Sequence, residues 1–202
     1  MSATAALWLS SIAFVGTHFL MSHPLRKPMV DRMGTKAFRG VYSLVSFVTL
    51  GAMIYAYRAI GREEALWQAG DWAMVVAELL MWFASILLIG SFFGNPAMVG
   101  AKRPNAPPDG VLGITRHPMM WSFAIWALVH AWLIATPKAL ILDAAILVLA
   151  LGGPAGQDRK KARLMGKSWH DWSAQTAFVP FTRGLRSPGL VALVGGTFLF
   201  LP

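Results

Sequence analysis

The stretch "GITRHPMMWSFAIWALVHAWLIA", residues 113–135, joins a long apolar run to Arg116, His117 and His130. A helix needs about 20 mostly apolar residues to cross a bilayer, and the run from residue 118 onward approaches that length. Ionisable side chains at membrane depth are costly, and they persist mainly where they pair, bind a ligand or move protons. The stretch therefore predicts a membrane helix with functional polar groups in or beside it.

The composition of the whole chain is typical of a polytopic membrane protein. Of its 202 residues, 56% are hydrophobic and only 13% are charged, whereas about 25% of the residues in a soluble domain are charged. The apolar runs are continuous, as membrane helices require. They cover residues 3–21, 41–57, 72–94, 118–135 and 139–153, with a shorter run at 188–202. We predict an all-α membrane bundle of five to six transmembrane helices, with residues 1–202 forming a single domain.

The net charge of +9 does not indicate a nucleic-acid partner, because the basic residues lie in loops between the apolar runs. Fifteen of the 18 lysines and arginines follow the first, third and fifth runs. Loops rich in these residues face the cytoplasm, so membrane lipids are the expected partners on that side. The chain has no cysteine, which excludes disulfides and thiolate ligands.

Few ionisable groups lie inside the apolar runs. Only Glu78 and Asp143 among the nine acids, and only His18 and His130 among the five histidines, lie well inside one. At about 1.5 Å per residue, Glu78, His130 and Asp143 share one depth in the outer half of the membrane. They could form interhelical hydrogen bonds. Neutral histidines inside a bundle could equally ligate a metal or a haem iron.

A second polar cluster is expected near the cytoplasmic side, formed by His18, His23, Arg116 and His117. Pro118 suits the first position of a helix, so Arg116 and His117 flank a helix N-terminus, which favours anions. A phosphate, a carboxylate or a haem propionate could bind there. The basic segment 157–178, with several aromatic residues, is expected to lie along the cytoplasmic surface.

Several stretches resemble the NnrU family of bacterial membrane proteins, which includes the 15-cis-zeta-carotene isomerases. They are "HFLMSHPLR", "AFRGVYSLVS", "AELLMWFAS", "GITRHPMMWSFAIWALVHAW" and "DRKKARLMGKSWHDWSAQTAFVPF". The resemblance implies a bacterial inner-membrane location and a haem b with His18 and His130 as its axial ligands. Where the isomerases carry a cysteine, three residues before the second histidine, this chain has Ala127.

The remaining site residues are predicted around that haem. Arg116 and His117 would contact the cofactor, and Glu78 and Asp143 would support its ligands, while the catalytic residues are unknown. The substrate would be a small hydrophobic molecule such as a polyene. The depths leave a gap of about 10 Å between His18 and His130, so His18 with His117 is an alternative ligand pair.

Two other functions are compatible with the sequence. "RHPMMW" and "GKSWHDW" resemble motifs of the isoprenylcysteine carboxyl methyltransferases, which use S-adenosylmethionine, although the expected paired glutamates are absent. The NnrU resemblance also implies a link to nitrite and nitric oxide reduction. A non-enzymatic accessory protein of denitrification is therefore the second alternative.

Overall fold

A computed structural model describes residues 1–98 and 100–201, and within them it contains eight α-helices and no β-strand. The helices are α1 (Ala3–Ser22), α2 (Arg26–Ala59), α3 (Trp72–Gly90), α4 (Val111–Ile114), α5 (Pro118–Ile134), α6 (Pro137–Met165), α7 (Lys167–Ser173) and α8 (Leu190–Phe200). The all-α prediction is confirmed.

Four of the described helices, α1, α2, α3 and α6, are long and apolar enough to cross a membrane. The other two apolar helices, α5 and α8, have 17 and 11 residues. These lengths correspond to about 26 and 17 Å, against a hydrocarbon core of about 30 Å. The chain is therefore a multi-pass helical membrane protein with four full-length helices and two shorter ones at the fourth and sixth predicted runs.

Two helices extend well beyond the apolar runs that predicted them. α2 begins at Arg26 rather than near residue 41, and it is interrupted at Gly34, whose φ of 78° is accessible mainly to glycine. α6 continues through Pro154 to Met165, although its apolar run ends near residue 153. Hydropathy marks where a helix leaves an apolar environment and does not mark where its backbone hydrogen bonding stops.

The first of two compact units comprises residues 1–69 and 130–149. Its core is a cluster from α1, α2 and the first half of α6: Leu7, Phe14, Met53, Ala56, Ile141 and Ala145. The loop after α2 is attached to the start of α6, because Glu63 accepts a hydrogen bond from the backbone N–H of Lys138 at 2.8 Å. This contact satisfies one of the free N–H groups of the helix start.

The second unit comprises residues 70–129 and 150–202. Its helices α3 and α8 pack closely, since a Cβ atom added to Gly196 would overlap the backbone of Ile86. Ser85 donates a hydrogen bond to the carbonyl oxygen of Gly196 at 2.9 Å. The Trp82 indole donates one to Thr197 Oγ1 at 2.9 Å. These contacts fix α8 against α3, although α8 is short.

The segment expected to lie along the cytoplasmic surface has a different structure. Residues 157–165 belong to α6, and Trp169 and Trp172 of α7 are buried. Both tryptophans pack in a cluster with Met165 and Leu112. The expectation of an interfacial segment is therefore corrected for these aromatic side chains, which form part of the core of the second unit.

Candidate functional site

His130 of α5 and Asp143 of α6 form a side-chain pair in the first unit. The Nδ1 atom of His130 lies 2.9 Å from each oxygen of the Asp143 carboxyl group. The Asp143 side chain is 4% exposed and that of His130 is 27% exposed. When Nδ1 of the neutral ring donates to this carboxyl group, the lone pair lies on Nε2. The structure thus brings together two of the residues that shared one predicted depth.

His18 of α1, in the same unit, has a comparable arrangement around a different acceptor. Its Nδ1 atom donates to the carbonyl oxygen of Phe14, one turn earlier, at 2.7 Å. A carbonyl oxygen can only accept, so the proton lies on Nδ1 and the lone pair of the neutral ring on Nε2. The ring packs against Phe14 and contacts Tyr42 edge-on. Phe14 shares a hydrophobic cluster with Ile141, two residues before Asp143.

Both histidines make an Nδ1 hydrogen bond of the kind that metal-bound histidines usually make. A metal-bound histidine almost always donates its other ring N–H to a carboxylate or a backbone carbonyl. Asp143 is that acceptor for His130, and Phe14 is that acceptor for His18. Among the described residues no group of three or more His, Asp or Glu side chains could hold a metal ion. Haem binding by His18 and His130 stays a prediction.

Glu78 has a different environment from Asp143. It lies on α3 in the second unit, and its side chain is exposed. No hydrogen bond or ion pair of Glu78 is found in the part of the chain that the structure describes. Its supporting role at a haem site stays a prediction.

Arg116 and His117, directly before α5, bind a carboxylate of their own chain. Arg116 Nε donates to one oxygen of Asp158 at 2.8 Å, and His117 Nε2 lies 2.7 Å from the other. The sequence predicted an anion at this helix start, and the anion that the structure brings there is Asp158 of α6. The assignment of Arg116 and His117 to a cofactor stays a prediction.

Asp158 is ionised by its surroundings. It lies beyond the apolar part of α6, which ends near residue 153. Burial raises the pKa of Asp158, but the hydrogen bonds and charges of His117 and Arg116 outweigh burial and lower this pKa below its usual value. An ionised Asp158 accepts from both neighbours, so it connects the start of α5 to the polar end of α6.

His117 is enclosed within the second unit. Its side chain is 1% exposed, and its Nδ1 atom is buried with no hydrogen-bond partner among residues 1–98 and 100–201. The ring contacts Phe178 edge-on. The carbonyl oxygen of Phe178 also accepts hydrogen bonds from Thr115 and Trp121, each at 2.8 Å. An external ligand would therefore have to displace packed neighbours to reach His117.

Sequence reasoning missed Asp158 and Lys161, two neighbouring residues of α6. Lys161 is buried and donates to the carbonyl oxygens of Pro96 and Met98 at 2.6 and 2.7 Å. Gln157, one turn earlier, donates to the carbonyl oxygen of Ala97. A single acid within the basic run 157–167 was the available signal for Asp158.

Comparison with known proteins extends these observations. The sequence is 25% identical over 187 residues to the chloroplastic 15-cis-zeta-carotene isomerase of Zea mays, covering 89% of this chain and 50% of that protein. It is 24% identical over 157 residues to the Arabidopsis thaliana protein of the same name, covering 74% of this chain and 42% of that protein. This chain thus spans half or less of these curated relatives. No solved structure matches the chain.

The comparison that covers the chain most completely is with a family model described as "NnrU protein". It matches residues 6–201, from the start of α1 to the end of α8. The matched region covers most of both compact units and every residue of the two histidine–aspartate pairs. The chain therefore belongs to the NnrU family of proteins.

Proposed function

We propose that this NnrU-family protein binds haem b through His18 and His130 and isomerises a cis double bond in a hydrophobic polyene. The observation that carries the proposal is the shared arrangement of these histidines. In one compact unit, each directs Nδ1 to an acceptor, so Nε2 would be the nitrogen that binds the iron. The names of the two relatives supply the reaction class.

The residues of the chain have separable tasks in this proposal. His18 and His130 would hold the cofactor, and Asp143 would fix the ring orientation of His130. The bound haem would supply an iron that donates electron density to the double bond and lowers its barrier to rotation. Four long apolar helices provide an environment for a hydrocarbon substrate.

The methyltransferase alternative would need a ligand that competes with a carboxylate of the chain itself. It rests on the likeness of "RHPMMW" and "GKSWHDW" to methyltransferase motifs, and in the structure Arg116 and His117 of the first motif bind Asp158. No contact in the described residues favours an accessory role in denitrification over the isomerase.

A visible spectrum of the protein purified in mild detergent, before and after dithionite, tests the haem site. We expect a Soret band that sharpens and shifts on reduction. His18→Ala should remove the six-coordinate signature, because one axial ligand is lost. His170→Ala is the matched control, since His170 is exposed on α7, and it should leave the spectrum unchanged. A colourless, folded protein from haem-replete cells would contradict the proposal.

A further inference from the structure

We infer that the segment 181–186 of the second unit, Phe-Thr-Arg-Gly-Leu-Arg, binds the headgroup of an anionic phospholipid. This segment lies in the chain between α7 and α8. Arg183 and Arg186 supply two positive charges, and Leu185 supplies an apolar side chain between them. The inference rests on contacts within the second unit and is independent of the proposed haem site.

The segment precedes α8 at the end of the second unit where α3 ends. A Cβ atom added to Gly90, the last residue of α3, would lie 2.9 Å from the Cβ of Ala192, near the start of α8. Further back in α3, Ser85 donates to the carbonyl oxygen of Gly196, which lies further along α8. The two helices are therefore antiparallel. Because α3 is long enough to cross a membrane, its end and the chain just before α8 lie at the membrane boundary.

The backbone of the segment is held against α4. The N–H of Phe181 donates to the carbonyl oxygen of Ile114 at 3.2 Å. The Phe181 ring stacks on Phe83 of α3, with 5.5 Å between the ring centroids. The stem of Arg186 lies against α4, since a Cβ atom added to Gly113 would lie 3.6 Å from both Cβ and Cγ of Arg186. A segment that is already ordered loses less conformational freedom when it binds a ligand.

The positive charges of the segment are open to an external anion. Both arginine side chains are exposed, and no carboxylate pairs with Arg183 or Arg186 among residues 1–98 and 100–201. In the same unit, Asp158 and Asp171 pair with other cations, and Asp109 accepts a hydrogen bond from the N–H of the next residue. Arginine binds phosphate groups through parallel N–H hydrogen bonds, so a phosphate suits this pair.

Leu185 indicates that the phosphate belongs to a lipid. Its side chain is 89% exposed, although it lies outside the apolar helices. A phospholipid headgroup brings acyl chains to the same place, and burial of Leu185 against them stabilises the complex through the hydrophobic effect. Basic residues at a membrane surface attract anionic lipids. The segment therefore matches an anionic phospholipid, such as phosphatidylglycerol, better than it matches a free phosphate ion.

Native mass spectrometry of the full chain in detergent, titrated with phosphatidylglycerol or phosphatidylcholine, tests this inference. We expect the wild type to prefer phosphatidylglycerol. Arg183→Gln combined with Arg186→Gln should weaken phosphatidylglycerol binding roughly 30-fold, the effect of two basic residues near an anionic surface. Lys102→Gln combined with Arg103→Gln is the matched control. It removes the same charge from exposed residues of the same unit, and it should retain the affinity of the wild type.

Leu185→Ser is the second variant, and it keeps every charge. It should weaken phosphatidylglycerol binding roughly tenfold, because the contact with the acyl chains is lost. An unchanged affinity of Leu185→Ser, or displacement of phosphatidylglycerol by an equal concentration of inorganic phosphate, would show a phosphate site and overturn the lipid assignment. Equal losses in the two double variants would assign binding to net charge and overturn the site. If the arginine variant does not accumulate, Leu185→Ser decides between the same outcomes.

Discussion

The two histidine–aspartate pairs of α5 and α6 have the same residue types and opposite surroundings. His130 bonds Asp143 through Nδ1 and has a 27% exposed side chain, whereas His117 bonds Asp158 through Nε2 and is 1% exposed. The first pair has the arrangement of a supported metal ligand. The second encloses its histidine and connects two helices. The exposure of the ring distinguishes the two histidines, and the residue types do not.

The largest expected effect concerns the structural role of the second pair. Asp158→Asn removes the negative charge that both Arg116 and His117 contact. Hydrogen bonds to charged groups contribute roughly 1.5–3 kcal/mol each, so we expect the free energy of unfolding to fall by at least about 2 kcal/mol. This loss corresponds to a decrease of about 4–8 °C in the midpoint of thermal unfolding in detergent.

The control for this variant is Asp171→Asn in the same unit. Asp171 pairs with Lys167 four residues earlier, and its side chain is 58% exposed. Exposed pairs of this kind contribute little, typically about 0.2–1 kcal/mol. Equal midpoints for Asp158→Asn and the wild type would show that the buried pair does not stabilise the fold.

A smaller effect is expected when the pH is lowered, and it also tests the role of the Asp158 pair. Because the pKa of Asp158 is lower in the folded state, its stabilisation is complete above the unfolded pKa of about 3.9 and is lost as the pH falls through the folded pKa. The difference in thermal midpoint between the wild type and Asp158→Asn should stay constant from about pH 8 to pH 5. It should shrink in stronger acid. A difference that already shrinks between pH 8 and pH 5 would assign the stabilisation to another group.

The sequence predicts the helices that lie in lipid better than it predicts the polar end of α6. Continuous apolar runs predict α1, α3 and α5 closely, because burial in lipid requires apolar side chains over the length of a helix. They do not predict the polar end of α6, where hydrogen bonds of Gln157, Asp158 and Lys161 replace contact with lipid. The proximity of His130 and Asp143 could be predicted, because both lie inside apolar runs at similar depth.

The pairing of Asp158 with Arg116 and His117 could not be predicted in the same way. These residues are separated by about 40 positions and lie outside the apolar runs, so counting the helical rise gives no shared depth. The orientation of each histidine ring could not be predicted from the sequence either. It depends on acceptors such as the Phe14 carbonyl. Every residue has a backbone carbonyl, so the sequence does not show which one accepts the hydrogen bond.

The most direct test of the account is the haem-to-protein ratio of two matched variants, His130→Gln and His117→Gln, each purified as folded protein. Glutamine is a poor axial ligand, but its amide can still donate to a carboxylate. We therefore predict that His130→Gln loses its haem while His117→Gln retains a ratio close to that of the wild type. Retention by His130→Gln together with loss by His117→Gln would contradict the account and would make His117 the ligand.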